Sequence, residues 1–357
     1  MTSATTYQAL TTFSRPSHET APASKFLLRC EMTFDETPAM KTFVFSHESG
    51  SLSFLPGQYV SIDVEIDGRT HSRCYSISSS PDEQERLHLT VKKEPYGLVS
   101  GWLHRNVSAG TTIRAAGPIG TFVCDDHENR TIVLLSAGSG ITPMMSMLRS
   151  RARRGLLKGV VFGHFARRPV DIPFMEELEE ISARHCGLRL HLVCTRANRE
   201  DQWQGLTGRA DSTFLRMLAP DPGNCVLYVC GPSGFIGSVA ELAKAAGIND
   251  IIAESFGGAG TALAVGTHAR RDQWPIHILS GPRLSCAKDE TILEAATRGG
   301  VWVNASCRQG VCGSCKAKLV SGNVDMEDKG GLSDRERQEG WILACCSRPL
   351  GPISIEL

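Results

Sequence analysis

Cys307-Arg308-Gln309-Gly310-Val311-Cys312-Gly313-Ser314-Cys315 sets three thiols within nine residues, and Cys345 adds a fourth after 29 intervening residues. C-x₄-C-x₂-C followed by a distant cysteine is a spacing with which four thiolates enclose a [2Fe–2S] centre. The close triplet can lie on one loop wrapped around two irons, and the distant sulfur closes the site. Gly310 and Gly313 let the loop backbone approach the inorganic sulfides, where amide N–H groups can donate hydrogen bonds. A structural zinc site would favour paired C-x₂-C knuckles, and only Cys312 and Cys315 form one. Cys346 adjoins Cys345, so spacing alone leaves the fourth ligand ambiguous by one residue.

The rest of the chain gives this cluster its setting. With 357 residues, 41% hydrophobic and 21% charged, two or three globular domains are expected. Lys+Arg and Asp+Glu both number 38, so no global field favours nucleic acid or an anionic membrane. The best apolar run, Thr131 to Leu148, is interrupted by Gly138, Gly140 and Pro143, which argues against a bilayer span. The first 24 residues lack the apolar core of a secretory signal and carry a single Arg, so a disordered tail and a cytoplasmic protein are expected. Of the 13 cysteines, Cys30, Cys74, Cys124, Cys186, Cys194, Cys225 and Cys286 stand singly and read as small buried hydrophobes. Without export, a disulfide framework is not expected.

Residues from about Phe26 to Cys124 read as β-structure, with strand composition at Thr42–Phe45, Tyr59–Val64 and Leu87–Val91 and turns at Pro56-Gly57 and Asp67-Gly68. Several short strands joined by turns predict a small antiparallel barrel. From Thr131 the texture alternates. Strands are expected at Ile132–Leu135, Val160–Phe165, Arg189–Cys194 and Val226–Cys230, with helices at Met144–Arg153, Phe174–Arg184 and Gly234–Ala246. That pattern predicts a parallel sheet covered by helices on both faces. Phe256 to Arg271 is Gly/Ala/Thr-rich and reads as a linker. A strand from Trp274 and a helix near Asp289–Thr297 then lead into the cysteines. The expected architecture is therefore an antiparallel β-barrel at 25–126, an α/β parallel-sheet domain at 127–256, a linker at 257–272 and an α+β domain at 273–357.

Five short motifs lie at strand ends or turns. Arg73-Cys74-Tyr75-Ser76 resembles the R-x-Y-S motif of the ferredoxin–NADP⁺ reductase superfamily. The resemblance implies that Arg73 meets flavin phosphate, Tyr75 covers the isoalloxazine and Ser76 lies near N5, roles that suit a planar guanidinium and an aromatic face. Gly97-Leu98-Val99-Ser100, ahead of an expected helix at Trp102–Arg105, resembles the family's G-x-x-S phosphate turn, with Val91 and Lys92 on the bordering strand. Tyr96 stands where relatives often carry another Gly. The serine of R-x-Y-S together with G-x-x-S implies FAD rather than FMN. Gly138-Ser139-Gly140-Ile141-Thr142-Pro143 after an apolar strand resembles the nicotinamide-side G-x-G-x-T-P loop, and Cys230-Gly231-Pro232 resembles the C-G-P motif that lies by the nicotinamide C4. Glu254-Ser255-Phe256 matches E-x-F, with Phe256 beside the flavin and Glu254 a polar partner.

Trp274–Leu357 resembles a plant-type ferredoxin domain of β-grasp form, and Leu343-Ala344-Cys345 selects Cys345 over Cys346 as the ligand. The order FAD, nicotinamide, [2Fe–2S] resembles reductase components of Rieske-type oxygenases, especially those of glycine betaine monooxygenase type, and hybrid-cluster protein reductase. What this implies is an NAD(P)H-dependent oxidoreductase with catalytic groups Ser76, Cys230, Glu254 and Phe256. Its cofactors would be FAD, a [2Fe–2S] cluster and NADH (or NADPH). Its partner would be a one-electron acceptor protein, a Rieske oxygenase, with a monomeric, cytoplasmic protein and no nucleic acid or membrane engaged. Thr195 and Arg196, after the strand whose loop meets the adenosine ribose, bear on the coenzyme. Relatives mostly use NADH, and NADH is expected here. A globin-fused flavohaemoprotein is not expected, because no globin-sized segment stands before the barrel. An electron-transfer subunit of the dihydroorotate dehydrogenase kind would have a much shorter gap to its fourth cysteine.

Overall fold

The computed structural model describes residues 24–83, 85–125, 127, 129–256, 273–279 and 281–357. The expected N-terminal tail, apart from its last residue, and the expected linker at 257–272 lie outside them. The chain divides into two compact units. One comprises Phe122–Met144 with Arg151–Phe256, and the other holds the residues up to Thr121, Met145–Ser150 and the C-terminal segment ending at Leu357.

In the second unit, β1 (Ser24–Thr37), β2 (Met40–His47), β3 (Tyr59–Ile66), β4 (Arg69–Ser76), β5 (Leu87–Lys92), α1 (Leu98–Asn106) and β6 (Thr112–Ile119) follow in order. The strands form one antiparallel sheet, β4-β3-β6-β1-β2-β5. An Ile77↔Leu89 bridge joins its two ends, closing the expected barrel. Alternating side chains such as Leu28, Phe43, Phe45, Ile62 and Leu89 fill the interior. The β3–β4 hairpin turns at Asp67-Gly68, both with positive φ (51° and 72°), the geometry a two-residue hairpin of this twist requires. Beyond Ile77 the barrel is closed, but the earlier part of β4 remains a sheet edge.

The same unit contains the C-terminal domain. It is built from β13 (Gln273–Ile278), β14 (Arg283–Ala287), α6 (Ile292–Arg298), β15 (Lys316–Ser321), β16 (Val324–Met326), α7 (Asp334–Gln338), β17 (Trp341–Leu343), β18 (Ser347–Pro349) and β19 (Ile353–Glu356). The intervening elements are β7 (Thr131–Ala137), α2 (Ile141–Arg153), β8 (Val160–Ala166), α3 (Met175–Arg184), β9 (Leu188–Cys194), β10 (Leu206–Thr207), α4 (Ser212–Leu218), β11 (Cys225–Gly231), α5 (Ser233–Ala245) and β12 (Ile251–Ser255), all in the other unit except Met145–Ser150 of α2. The C-terminal sheet is mixed, β14-β13-β19-β15-β17, with β13 and β19 parallel. Buried Ile292, Leu293 and Ala295 of α6 belong to the same core as Ile276, Ala317 and Ile355 of the sheet. Thr291 caps α6 through a reciprocal capping box with Glu294.

The first unit is organised on the parallel sheet β10-β9-β8-β7-β11-β12. Its central strands are apolar on both faces, as doubly covered strands must be; every residue of β8 and β11 is buried. Leu215 and Leu218 of α4 and Val239 and Ala243 of α5 share a core with one face. Strand order reverses between β7 and β11, and such a switch point opens a crevice at the carboxyl ends of the strands. No helix among the described residues is long and apolar enough to cross a membrane.

Five of the single cysteines are buried as expected, namely Cys30, Cys124, Cys194, Cys225 and Cys286. Two depart from that reading. Cys186 is exposed, and Cys74 is half-buried beside polar neighbours.

Candidate functional site

At the switch point the two nicotinamide-side motifs meet. Gly138 follows β7 with φ +56°, and Gly138–Gly140 form a single 3₁₀ turn into α2. A Cβ on Gly140 would lie 2.3 Å from the carbonyl oxygen of Cys230 and 2.7 Å from the amide nitrogen of Gly231. Only a residue without a side chain permits that approach. Thr142 donates from Oγ1 to the carbonyl of Ser139 at 3.0 Å and holds the turn closed. Pro143 lies in the first turn of α2, where a missing N–H costs nothing. Pro232 caps α5 directly after the C-G-P strand end.

Cys230 and Glu254 are partners across β11 and β12. Cys230 is fully buried; burial first, then the neighbouring Glu254 charge, pushes its thiol well above the usual cysteine range. Burial alone raises the Glu254 carboxyl to about 8, and its Oε2 is buried with no hydrogen-bond partner. Phe256 is exposed at the end of the segment. After β9, the backbone N–H groups of Thr195 and Arg196 donate to the carbonyls of Ala166 and Arg167 at 2.9 and 2.8 Å. Arg168 in the same loop pair is held by Asp201 at 2.5 Å.

In the barrel, the flavin-motif residues lie on β4 and around the entry to α1. Tyr75 packs against the barrel core, and Ser76 is buried. Val91 is buried, its carbonyl engaged by His104 Nε2 at 2.8 Å, and Lys92 pairs with Glu94 at 2.8 Å. Gly97 is the N-cap of α1, and a Cβ there would stand 2.3 Å from Ser100 Oγ. Ser100 Oγ instead closes the turn, accepting from the Glu94 N–H at 3.2 Å and donating to the Gly97 carbonyl at 3.3 Å. Val99 is buried beneath it. No side chain caps α1 and no acid stands in its first turn, so its leading N–H groups face no competing acceptor of their own helix. Tyr96 has φ +66°, the left-handed conformation in which glycine is favoured.

The four cysteines come together as two couples. The backbone N–H groups of Cys307 and Cys312 each donate to the other's Sγ at 3.4 Å. Cys315 and Cys345 stand close enough for each to shift the other's thiol, and the Ala344 N–H donates to the Cys315 carbonyl at 2.9 Å. Nearness of Cys307, then Cys74, pulls the Cys312 thiol far below its ordinary range, and nearness of Cys315, then Cys346, does the same for Cys345. Among the described residues no three His, Cys, Asp or Glu side chains form a group able to hold a single metal ion. Sulfurs arranged two and two suit a centre with two thiolates per iron better than one tetrahedral ion. Gly310 (φ +75°) and Gly313 (φ +69°) make the loop's two sharp turns, and a Cβ on Gly313 would strike the Gly331 carbonyl at 2.6 Å. The donor set and the loop fit a [2Fe–2S] group.

Sequence reasoning did not foresee how this loop meets the barrel. Residues 302–306 run beside the open edge of β4. The Ser72 N–H donates to Asn304 Oδ1 at 3.0 Å, Asn304 Nδ2 donates to Ser72 Oγ at 2.9 Å, and Arg73 donates to the Ala305 carbonyl at 3.2 Å. Cys74 Sγ lies 3.0 Å from Ser306 Oγ. A cavity of about 320 Å³ opens beside this seam, lined among others by His71, Arg73, Trp302 and Arg308. Arg73 therefore already serves the seam as well as facing a cationic cavity.

Comparison with known proteins agrees with this division. Residues 33–124 match the oxidoreductase FAD-binding domain, 134–241 the oxidoreductase NAD-binding domain, and 278–350 the 2Fe-2S iron-sulfur cluster binding domain. The glycine betaine monooxygenase reductase subunit of Chromohalobacter salexigens is 33% identical over 347 residues, covering 92% of this chain and 94% of that protein. The stachydrine N-demethylase reductase subunit of Rhizobium meliloti is 34% identical, covering 92% and 96%. The crystal structure of phthalate dioxygenase reductase has the same fold, with a TM-score of 0.61 at 24% identity, covering 94% of this chain and 98% of that one. The three domains thus match in order along full-length relatives, and the chain belongs to the ferredoxin–NADP⁺ reductase-type oxidoreductases that join FAD- and NAD-binding domains to a C-terminal [2Fe–2S] domain.

Proposed function

We propose that this protein is the cytoplasmic, monomeric reductase component of a Rieske-type oxygenase system of the quaternary-amine demethylase class. Its domains are taken as 25–126, 127–256 and 273–357. The observation that carries the reading is the contact between the R-x-Y-S strand and the cysteine loop, since an electron relay needs its flavin strand and its cluster loop side by side. The names of the full-length relatives support the partner class. When bound, FAD converts the paired electrons of a nicotinamide into the single electrons that a [2Fe–2S] cluster accepts and passes on.

The protein's own residues do the rest. Arg73 and the amides of Val99 and Ser100, in the first turn of α1 behind the Gly97 turn, would hold the flavin phosphates, with Val91 and Lys92 on the bordering strand. Tyr75 covers the ring and Ser76 hydrogen-bonds near its reacting edge. Gly138, Gly140, Thr142 and Pro143 shape the dinucleotide loop, and Cys230, Gly231 and Pro232 admit the nicotinamide against the strand end. Glu254 would offer a buried polar partner there, and Phe256 would be the aromatic group that lies by the flavin ring. Cys307, Cys312, Cys315 and Cys345 ligate the irons.

Mixing NADH-reduced protein with a purified Rieske oxygenase of a betaine demethylase system is expected to reduce the oxygenase at a rate that saturates with its concentration. If only dyes accept electrons and no Rieske protein does, the partner reading fails. Initial rates are expected to favour NADH over NADPH. A strong NADPH preference, lost in Arg196→Ala, would overturn that choice and assign Arg196 to a 2′-phosphate.

A further inference from the structure

The cavity of about 320 Å³ beside the seam has no occupant in the roles given above, although Arg73 faces it. Its lining comes from the barrel and from the C-terminal domain, which lie in one compact unit. Arg69, His71, Arg73 and Tyr75 alternate along β4 and share one face, opposite Ile66, Val64, Ile62 and Val60 of β3. Trp302 stands against that face. Its ring makes a T-shaped contact with His71, centroids 5.4 Å apart, and the Arg69 guanidinium lies 5.9 Å from its centroid. Even so, 44% of Trp302 stays exposed. Arg73 donates to the Ser72 and Ala305 carbonyls through Nη1 alone, which leaves its Nε and Nη2 without a partner among the described residues. Arg308 has neither a hydrogen bond nor an ion pair among them. It also holds φ +55°, a conformation that glycine adopts at less cost, so the backbone gives no reason for an arginine there. No carboxylate lines the cavity. Two guanidiniums with free donors, an imidazole and an indole around a space of this size form a receptor for a phosphorylated aromatic molecule.

We propose that this cavity receives the ADP half of FAD, with Arg308 joining Arg73 on the diphosphate and Trp302 flanking the adenine, so that the C-terminal domain supplies part of the flavin site. The inference rests on the FAD reading given above. With Tyr75 covering the ring, the strand sets Arg73 about 7 Å and His71 about 13 Å further along the same face. Ring, diphosphate and adenosine follow one another in that order in FAD itself. FMN ends at its single phosphate and has nothing to offer Trp302. Inorganic phosphate would engage the guanidiniums alone. The cavity therefore selects FAD over FMN, and it does so with residues that the barrel does not contain.

The test uses the full-length protein, stripped of flavin with its iron retained, and titrates it with FAD, FMN or ADP while flavin and tryptophan fluorescence are followed. The parent is expected to bind FAD more tightly than FMN, and ADP alone is expected to quench its tryptophan emission. Trp302→Ala is expected to weaken FAD about tenfold and to leave FMN within about twofold, because only the ligand that carries a base loses its aromatic neighbour. Trp302→Phe keeps an aromatic face and should hold FAD within about threefold of the parent while losing the ADP-induced quench. Arg308→Ala is expected to weaken FAD about tenfold through the loss of a charged hydrogen bond. FAD affinity that is unchanged in Trp302→Ala, or that falls together with FMN affinity at full iron content, overturns the proposal. A parent that binds FMN as tightly as FAD would instead overturn the FAD reading on which the proposal stands.

Discussion

Cys312→Ser is expected to retain flavin-level reduction of a two-electron dye by NADH while losing transfer to a one-electron protein acceptor by more than about 100-fold. Removing a hydrogen bond behind a ligand already costs about 10–100-fold in metal affinity or activity, and this change would remove one of the four proposed ligands itself. Cys312 is central to the arrangement: it exchanges N–H···S bonds with Cys307 and bonds Ser314. The dye reaction relies on the barrel and the parallel-sheet unit, whose cores contain none of the cluster sulfurs. Iron content, visible absorption and parallel assays with the two-electron dye dichlorophenolindophenol and with cytochrome c check this expectation. Equal loss of both activities would show that the cysteines hold the fold together rather than carry electrons. Cys346→Ser is the matched control and should keep its iron, because the Cys346 thiol donates to the Leu343 carbonyl at 3.7 Å while Cys345 sits beside Cys315.

The second large effect is expected at the nicotinamide cradle. Gly140→Ala places a methyl 2.3 Å from the Cys230 carbonyl oxygen, and neither side can yield cheaply. Gly140 is fixed between β7 and α2, while Cys230 is the hydrogen-bonded end of a central strand. The two must separate, which misplaces the surface proposed to receive the nicotinamide. A displacement near 1 Å can cost about 100-fold in rate, and a comparable fall in kcat/KM for NADH is expected here. Overpacking adds about 1–3 kcal/mol of destabilisation. Gly138→Ala is a different perturbation: a Cβ there meets nothing within 4 Å, and only the +56° φ is strained. Its kcat/KM should fall far less. Steady-state kinetics with NADH, alongside flavin and iron content, separate the two, and unimpaired NADH kinetics in Gly140→Ala would show that this approach plays no part in binding coenzyme.

Much of this molecule could be read from short-range signals. Strand composition and turn signals marked the barrel, apolar runs such as Ile132–Leu135 marked the parallel sheet, and the cysteine spacing marked the last domain. Helix starts were less legible where the cap carries no side chain. Helix α1 begins at Leu98 behind Gly97, four residues before the expected helix at Trp102, and α2 begins at Ile141, ahead of a proline that the first turn tolerates. Helix α4 went unread although Asp211 caps it, accepting from the Phe214 N–H at 2.8 Å, because seven residues give too little periodicity. Cys74 shows the deeper limit. Its neighbour Ser306 lies 232 positions away, and no local pattern states which remote segment will lie against a strand.

The open stretch of β4 has a further consequence. Exposed strand edges are templates for pairing with other chains, and proteins guard them with charge, proline, bulges or a covering segment. Here Asn304 answers the outward amide of Ser72 with a side-chain oxygen and so occupies the row where a foreign strand would dock. Because guard and edge share one polypeptide, every barrel carries its own cover in fixed proportion, and solubility of the flavin domain becomes tied to the presence of its redox neighbour.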